Sequence, residues 1–148
     1  MAVEPFLLVS TINIVIGQRL VRRLTDSKEK YVLSKAEYAQ LEKIADLDSV
    51  LNALKAEKVV KANDTWKDIP FWKAVPAGDN DGFKGRIGIH EILRMNQTIK
   101  DLIMKNATAA EIEVQAKKEG MLTMLEDGIY KCVLGLTTIE EVLRVVTE

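Results

Sequence analysis

The stretch Gly82-Phe83-Lys84-Gly85-Arg86-Ile87-Gly88-Ile89-His90-Glu91-Ile92-Leu93 decides how this chain is expected to fold. Its closely spaced glycines indicate a tight turn, because glycine adopts backbone conformations that a β-carbon forbids. The apolar, β-branched run that follows predicts a strand over residues 86–94. An earlier segment, residues 19–24, mixes leucine and valine with arginine and predicts a second short strand. We expect the two strands to pair, with residues 25–84 forming a large excursion between them.

Arginines are concentrated in the first of these strands. Side chains alternate across a strand, so Arg19 and Arg23 share one face while Leu20, Arg22 and Leu24 share the other. The Arg22 face has two apolar members, and we therefore expect this face to be buried or to lie at an interface. Arginines near a strand most often form salt bridges or interface contacts.

The overall composition is that of a globular domain with one ordinary core. The chain has 148 residues, of which 47% are hydrophobic and 29% are charged. Its 21 basic and 22 acidic residues give a net charge of −1, which disfavours nucleic acid and anionic lipid as partners. The single cysteine, Cys132, excludes an intramolecular disulfide and a cysteine-based zinc site. The apolar run over residues 5–16 is too short to cross a bilayer and does not resemble a signal peptide, so a cytoplasmic location is expected.

The first part of the chain contains two clear helix signals. Pro5 begins a helical pattern that we expect to continue as a buried helix to about Gly17, whereas residues 25–33 are polar and loop-like. Ser34 and Glu37 have the spacing of a capping box, and Asp46 can cap the next helix. Residues 59–81 lose periodicity and predict an irregular, aromatic-rich connection.

The last part of the chain is predicted to be helical throughout. The sequence indicates a helix over residues 98–105, a capping box at Thr108 and Glu111, a helix end at Gly120, a helix over residues 121–134 closed by Gly135, and a final helix over residues 139–146 capped by Thr137 or Thr138. The predicted fold class is therefore α+β and mainly helical. It combines a short antiparallel strand pair, an inserted small lobe and a C-terminal helical bundle.

No catalytic constellation emerges from the sequence. A phosphate-binding loop of the Gly-x-x-x-x-Gly-Lys-[Ser/Thr] type is absent, as is a dinucleotide fingerprint. His90-Glu91 lacks the second histidine of a zinc protease motif, because that position is Arg94. We interpret His90 as a half-exposed structural residue, and Glu126 and Asp127 as solvated helix surface. The sequence thus predicts no catalytic, cofactor-binding or metal-binding residue.

Three segments, taken in order, resemble the C-terminal region of the hexameric ATPases that drive type II secretion and type IV pilus assembly. The first is Val3-Glu4-Pro5-Phe6-Leu7 followed by Gln18-Arg19-Leu20-Val21-Arg22-Arg23-Leu24. The second is residues 82–93, and the third runs from Glu119-Gly120-Met121 through Glu126-Asp127-Gly128 to residues 135–145. Each segment alone is a weak signal, but their joint order over nearly the full chain is specific.

The resemblance implies a part of a motor rather than a complete enzyme. The phosphate loop, Asp box, Walker B and His box of such ATPases would precede this chain, so ATP and Mg²⁺ are expected only for a full-length parent and Met1 is expected to mark the start of a fragment. The chain alone should not hydrolyse ATP. The implied role is to hold subunits in a homohexameric ring and to pass their motion to an inner-membrane platform, in the cytoplasm and peripheral to that membrane. Arg19, Arg22, Arg23 and Arg86 are the candidate interface residues.

The resemblance also implies a division of the chain and one departure from the family pattern. Residues 1–24 would end the ATPase core, residues 25–84 would form the inserted lobe, and residues 85–148 would form the strand and helical bundle. Relatives usually carry two Cys-x-x-Cys pairs that bind structural zinc; the matching positions here are Thr25, Lys28, Val75 and Gly78. We expect apolar burial to replace the metal, through a satellite core of Tyr31, Tyr38, Leu41, Leu51, Leu54, Trp66, Phe71 and Trp72.

An alternative function remains open from the sequence. The chain could be a stand-alone adaptor or regulatory module that kept the fold and lost the motor. A phosphate-loop coding sequence upstream in the same frame would exclude this alternative. The sequence does not separate secretion from pilus assembly.

Overall fold

A computed structural model describes residues 3–148 as a mixed α+β fold. In chain order the elements are α1 (Pro5–Thr11), β1 (Ile14–Leu24), β2 (Lys28–Val32), α2 (Lys35–Glu42), α3 (Leu47–Ala56), β3 (Pro70–Ala74), β4 (Phe83–Arg94), α4 (Gln97–Met104), α5 (Ala109–Lys118), α6 (Met124–Val133) and α7 (Ile139–Thr147). None of the helices within residues 3–148 is long and apolar enough to cross a bilayer.

The central feature is a long antiparallel ribbon formed by β1 and β4. The register runs from Ile14 opposite Arg94 to Arg22 opposite Arg86, with an irregularity between Arg22 and Leu24. The predicted pairing is confirmed, but both strands begin earlier than expected.

The helix predicted over residues 5–17 is wrong in length and in burial. α1 ends at Thr11, and none of its residues is buried. The chain is already in β1 at Ile14, because Ile14, Val15 and Ile16 are β-branched and fit a pleated strand better than a helix.

The glycine-rich turn is confirmed at Gly82, just before β4, whereas Gly85 lies inside β4 at the irregularity in its pairing with β1. Gly82 and Gly85 have φ angles of +92° and +74°, in the region that favours glycine. A β-carbon at Gly82 would also lie 2.9 Å from Cβ of Ala74. The turn therefore depends on glycine both for its conformation and for its close approach to β3.

A second antiparallel pair, β2 with β3, lies where the sequence predicted a loop and an irregular connection. Lys28 is opposite Ala74, and Val32 is opposite Pro70. The prediction failed because the Lys-Glu-Lys sequence at the start of β2 is polar, and because β3 begins at a proline. Both strands are short, with five residues each.

One continuous hydrophobic core joins this pair to the ribbon and the last helices. Leu41, Leu54, Trp66 and Phe71 belong to the same buried cluster as Val21, Ile89, Ile129, Cys132 and Val142. The predicted satellite core is therefore not separate from the main one, and Trp72 lies only partly buried at its edge. The reason is that α3 and β3 pack directly against α6.

Capping residues define most helix ends as predicted. Capping boxes are present at Ser34–Glu37 and Thr108–Glu111; Asp46 caps α3, Thr138 caps α7, and Gly120 and Gly135 have positive φ. The start of α6 was predicted too early, because Thr123 and Glu126 form a further capping box that the analysis of the sequence missed. Cys132 is fully buried, and burial raises the pKa of its thiol.

Candidate interaction site

The outer edge of β4 is capped by side chains of α6. The backbone N–H of His90 donates to Oδ2 of Asp127 at 2.8 Å, and Nζ of Lys131 donates to the Gly88 carbonyl at 2.7 Å. Lys131 also pairs with Asp127 at 2.7 Å and lies 3.1 Å from Nδ1 of His90. These contacts satisfy backbone groups that an unpaired strand edge would expose.

The interpretation of Glu126 and Asp127 as solvated surface is wrong. Glu126 is fully buried: its carboxylate accepts from the backbone N–H of Thr123 and of Asp46 and pairs with Lys117 at 3.3 Å. It thereby joins the start of α6 to the start of α3. The Thr-x-x-Glu spacing was the signal that could have revealed this carboxylate.

The His-Glu pair of β4 has a structural role. Oε2 of Glu91 accepts from the backbone N–H of Met124 at 2.9 Å, at the positive end of α6. His90 is half-buried, as the sequence predicted. Glu91 of β4 accepts a hydrogen bond from the α6 backbone, and Asp127 of α6 accepts one from the β4 backbone. Each element therefore holds the other in place.

One end of β1 is capped in a comparable way by α7 and the segment before it. Glu141 accepts from the backbone N–H of Arg22 at 3.1 Å, and the Thr137 hydroxyl donates to the Arg22 carbonyl at 2.9 Å. The buried Glu141 carboxylate also pairs with the guanidinium groups of Arg22 at 2.8 Å and Arg144 at 2.9 Å. Burial alone would raise the pKa of Glu141, but hydrogen bonds from Arg144 and Arg22 outweigh it and lower the pKa from 4.5 to about 2.

The predicted interface arginines are only partly brought together. Arg19, Arg22 and Arg86 line one open groove with Arg144, whereas Arg23 is exposed outside it. Arg22 is held by Glu141 and Asp81 and stacks on the Phe83 ring at 4.1 Å. Arg19 donates to the Val145 carbonyl.

The Arg22 face, expected to be buried or to lie at an interface, is not the face that the core buries, and its place at an interface stays a prediction. Val21, on the opposite face, is fully buried against the helices, whereas Leu20 is 43% exposed. Leu24 is buried only because the irregularity after Arg22 changes the alternation.

The rest of β1 has a bare, apolar edge. In an antiparallel pair, backbone groups point alternately toward and away from the partner strand, so those of Ile16, Gln18 and Leu20 point outward as those of Arg22 do. Within residues 3–148, no other element donates to or accepts from these three backbones. Ile16 is 55% exposed, and Phe6 and Leu7 of α1 are exposed as well. Exposed apolar side chains beside an open strand edge are typical of an interaction site.

The four positions that would hold zinc in relatives lie near the end of the β2–β3 pair. Thr25 bonds to the Gly82 carbonyl, Lys28 donates from Nζ to the Gly135 carbonyl at 2.8 Å, and Val75 bonds to Ser27. Gly78 lies in the turn that Ala77 and Asn80 close. These side chains do not fit zinc, since they offer no thiolate or imidazole and place an ammonium group there. Across residues 3–148, no three His, Cys, Asp or Glu side chains are grouped so as to hold a metal ion.

Comparison with known proteins identifies the family. Residues 1–144 match the family model described as "Type II/IV secretion system protein". The chain is 38% identical to the type II secretion system protein E of Xanthomonas campestris over 146 residues, which is 98% of this chain and 23% of that protein.

Two further relatives come one from pilus assembly and one from type II secretion. The type IV pilus assembly ATPase PilB of Thermus thermophilus is 32% identical over 97% of this chain and 14% of its own length. The type II secretion system ATPase E of Vibrio cholerae is 32% identical over 100% of this chain and 26% of its own length. The chain therefore spans about a quarter or less of these relatives, and it belongs to the type II/IV secretion system protein family.

Proposed function

We propose that this chain acts as the C-terminal domain of a hexameric secretion or pilus-assembly ATPase. In this proposal it supports the packing of subunits in the ring and transmits ATP-driven motion to an inner-membrane platform. The observation that carries the proposal is the bare apolar edge of β1 over residues 14–20, which the described residues leave uncapped, whereas they cap β4 at Gly88 and His90 and β1 at Arg22.

The occupant that we propose for this edge is the ATPase core of the same motor. Support comes from length, because relatives that match nearly all of this chain are about four times longer or more. It also comes from chemistry: an open strand edge with apolar side chains is completed by another strand or an apolar surface. Residues 1–24 would then belong structurally to that core.

The arginines at one end of the ribbon extend the same proposed interface. Arg19 and Arg86 form no ion pair within residues 3–148, and Arg22 already serves the internal contact with Glu141. We therefore assign the interface role to Arg19 and Arg86 first. Arg23 would take part only if the partner also reaches the surface outside the groove.

Within this domain we propose that residues 25–84 form a lobe held by packing rather than by zinc. Buried Trp66, Phe71, Leu41 and Leu54 support this reading, since each buried side chain of this size contributes roughly 2–3 kcal/mol. Metal analysis of the purified chain should find no stoichiometric zinc, and added zinc should not raise the melting temperature. Stoichiometric zinc would overturn this part of the proposal.

A chimera tests the main proposal. The matching segment of the Xanthomonas campestris type II secretion system protein E is replaced by this chain, and secretion, hexamer formation and ATP hydrolysis are measured. The same chimera is made with Ile16→Glu, which puts a charge on the bare edge, and with Ile44→Glu. Ile44 is a matched control, because it is 57% exposed but lies outside the ribbon.

The proposal predicts that the chimera and its Ile44→Glu version assemble and hydrolyse ATP, whereas Ile16→Glu loses hexamers and hydrolysis. It is contradicted if Ile16→Glu assembles as well as the control. A chain that binds the platform without any ATPase core would instead favour the adaptor function.

A further inference from the structure

The groove at the end of the ribbon has more positive charge than the chain neutralises. Arg22 and Arg144 share the single buried carboxylate of Glu141, and their other partners, Asp81 and Glu148, are mostly exposed. Arg19 contacts only the Val145 carbonyl among hydrogen-bond acceptors in residues 3–148. Arg86 has no acidic partner in the same range.

Arg86 stands directly opposite Arg22 in the ribbon, but it lacks the carboxylate partners that Glu141 and Asp81 provide for Arg22. An incoming carboxylate would supply such a partner. The same carboxylate would find guanidinium groups, which are suited to bidentate bonds.

The spacing of the two free arginines fits an extended chain. Arg86 lies beside Arg22, so it is three residues from Arg19 along the ribbon, or about 10 Å. Residues three apart in a strand point to opposite faces, as Arg19 and Arg86 do here. Because α7 caps β1 at Arg22, an extended segment with acidic residues three apart would cross the open groove rather than pair with β1 there, and it would place one carboxylate on each arginine.

A compact anion suits this groove less well. The free charges are spread along the ribbon rather than gathered at one point. We propose that the Arg19–Arg86 groove binds an extended acidic segment of a partner polypeptide. The inference rests on the proposed function only in taking β1 as a contact surface, and it names the chemistry of the partner there.

The test uses the whole chain and labelled peptides. A fluorescein-labelled peptide of roughly ten residues, with glutamate at every third position, is compared with one that has glutamine at those positions. Binding is measured by fluorescence anisotropy at low and high salt, with Arg19→Gln, Arg86→Gln and the control Arg23→Gln. Circular dichroism monitors folding, and Arg86→Gln removes no internal ion pair.

The glutamate peptide should bind and the glutamine peptide should not. Arg19→Gln and Arg86→Gln should each weaken binding by at least about fivefold, and Arg23→Gln by less than about twofold. The inference is overturned by absence of binding, by equal weakening in Arg23→Gln, or by inorganic phosphate that competes at the concentration of the peptide. If one of these outcomes is found but the chimera still assembles, the inference fails and the proposed function is still supported.

Discussion

The two edges of the ribbon differ in how much of their backbone the chain itself satisfies. Along β4, Asp127 and Lys131 bond to the backbone of His90 and Gly88, and at the end of β1 Glu141 and Thr137 bond to Arg22. From Ile14 to Leu20, the described structure provides no such cap and leaves apolar side chains exposed. At the capped positions the outward backbone groups are hydrogen-bonded within the chain. Along the bare edge of β1 they are left for another surface to cover.

This difference separates residues that stabilise the domain from residues that are available to a partner. The caps come from α6 and α7, so substitutions there should destabilise the isolated chain. Substitutions on the bare edge of β1 should not change the stability of the isolated chain. The predictions below follow this contrast, from the largest expected effect to the smallest.

Glu126→Ala should cause the greatest loss of stability. It removes a buried acceptor for the backbone N–H groups of Thr123 and Asp46 and leaves Lys117 without its partner. We expect the free energy of unfolding to fall by about 4 kcal/mol, measured by urea denaturation. Glu113→Ala, an exposed position on α5, is the control and should change it by less than about 0.5 kcal/mol. Similar losses of stability in the two variants would show that Glu126 does not stabilise the fold by joining α6 to α3.

Acid should weaken the cap on β1 through Glu141. Its pKa is about 2 in the folded chain and near 4.5 when unfolded, so its stabilisation is present above pH 4.5 and is lost as the pH falls towards 2. The difference in unfolding free energy between the wild type and Glu141→Gln should shrink by about 3 kcal/mol over this range. Urea titrations at several pH values measure it. A difference in unfolding free energy that does not change with pH would contradict the lowered pKa of Glu141.

Gly128→Ala tests the contact between the two helices that supply the caps. A β-carbon at Gly128 would clash with Cγ1 of Val142, so α6 and α7 would have to separate. We expect a loss of about 2 kcal/mol in unfolding free energy. Gly17→Ala is the matched control, since its nearest contact would be an ordinary 3.5 Å from Met124. Equal effects would mean that the close helix contact is not needed.

Ile16→Glu should have the smallest effect on the isolated chain. The side chain is 55% exposed on the bare edge, so we expect less than about 0.5 kcal/mol of change in unfolding free energy. Its effect should appear only in the assembled chimera. A loss above about 1 kcal/mol by thermal or urea denaturation would show that the edge is already covered.

The sequence predicted features that depend on local chemistry. Ser34 and Glu37 form their capping box, Gly82 forms the turn before β4, and β1 pairs with β4. Each depends on residues that are close in sequence or on a strong apolar pattern. The family resemblance, which required the joint order of three segments, is also confirmed.

Features that depend on tertiary contacts were predicted poorly. β2 was missed because its lysines and glutamate conceal a strand that β3 stabilises by pairing. The burial of Glu126 was missed because its second acceptor role, toward Asp46, joins residues 80 apart in sequence. The groove of Arg19, Arg22 and Arg86 could be predicted only in part, since Arg144 joins it from α7.

The reciprocal bonds between β4 and α6 have a mechanical consequence. A shear of β4 along its axis would stretch the Glu91–Met124 and the His90–Asp127 bonds together, so the strand drags the helix with it. Glu126 then carries the displacement to the start of α3 through Asp46. A load applied to the ribbon would therefore reach the start of α3 through the carboxylates of Glu91, Asp127 and Glu126.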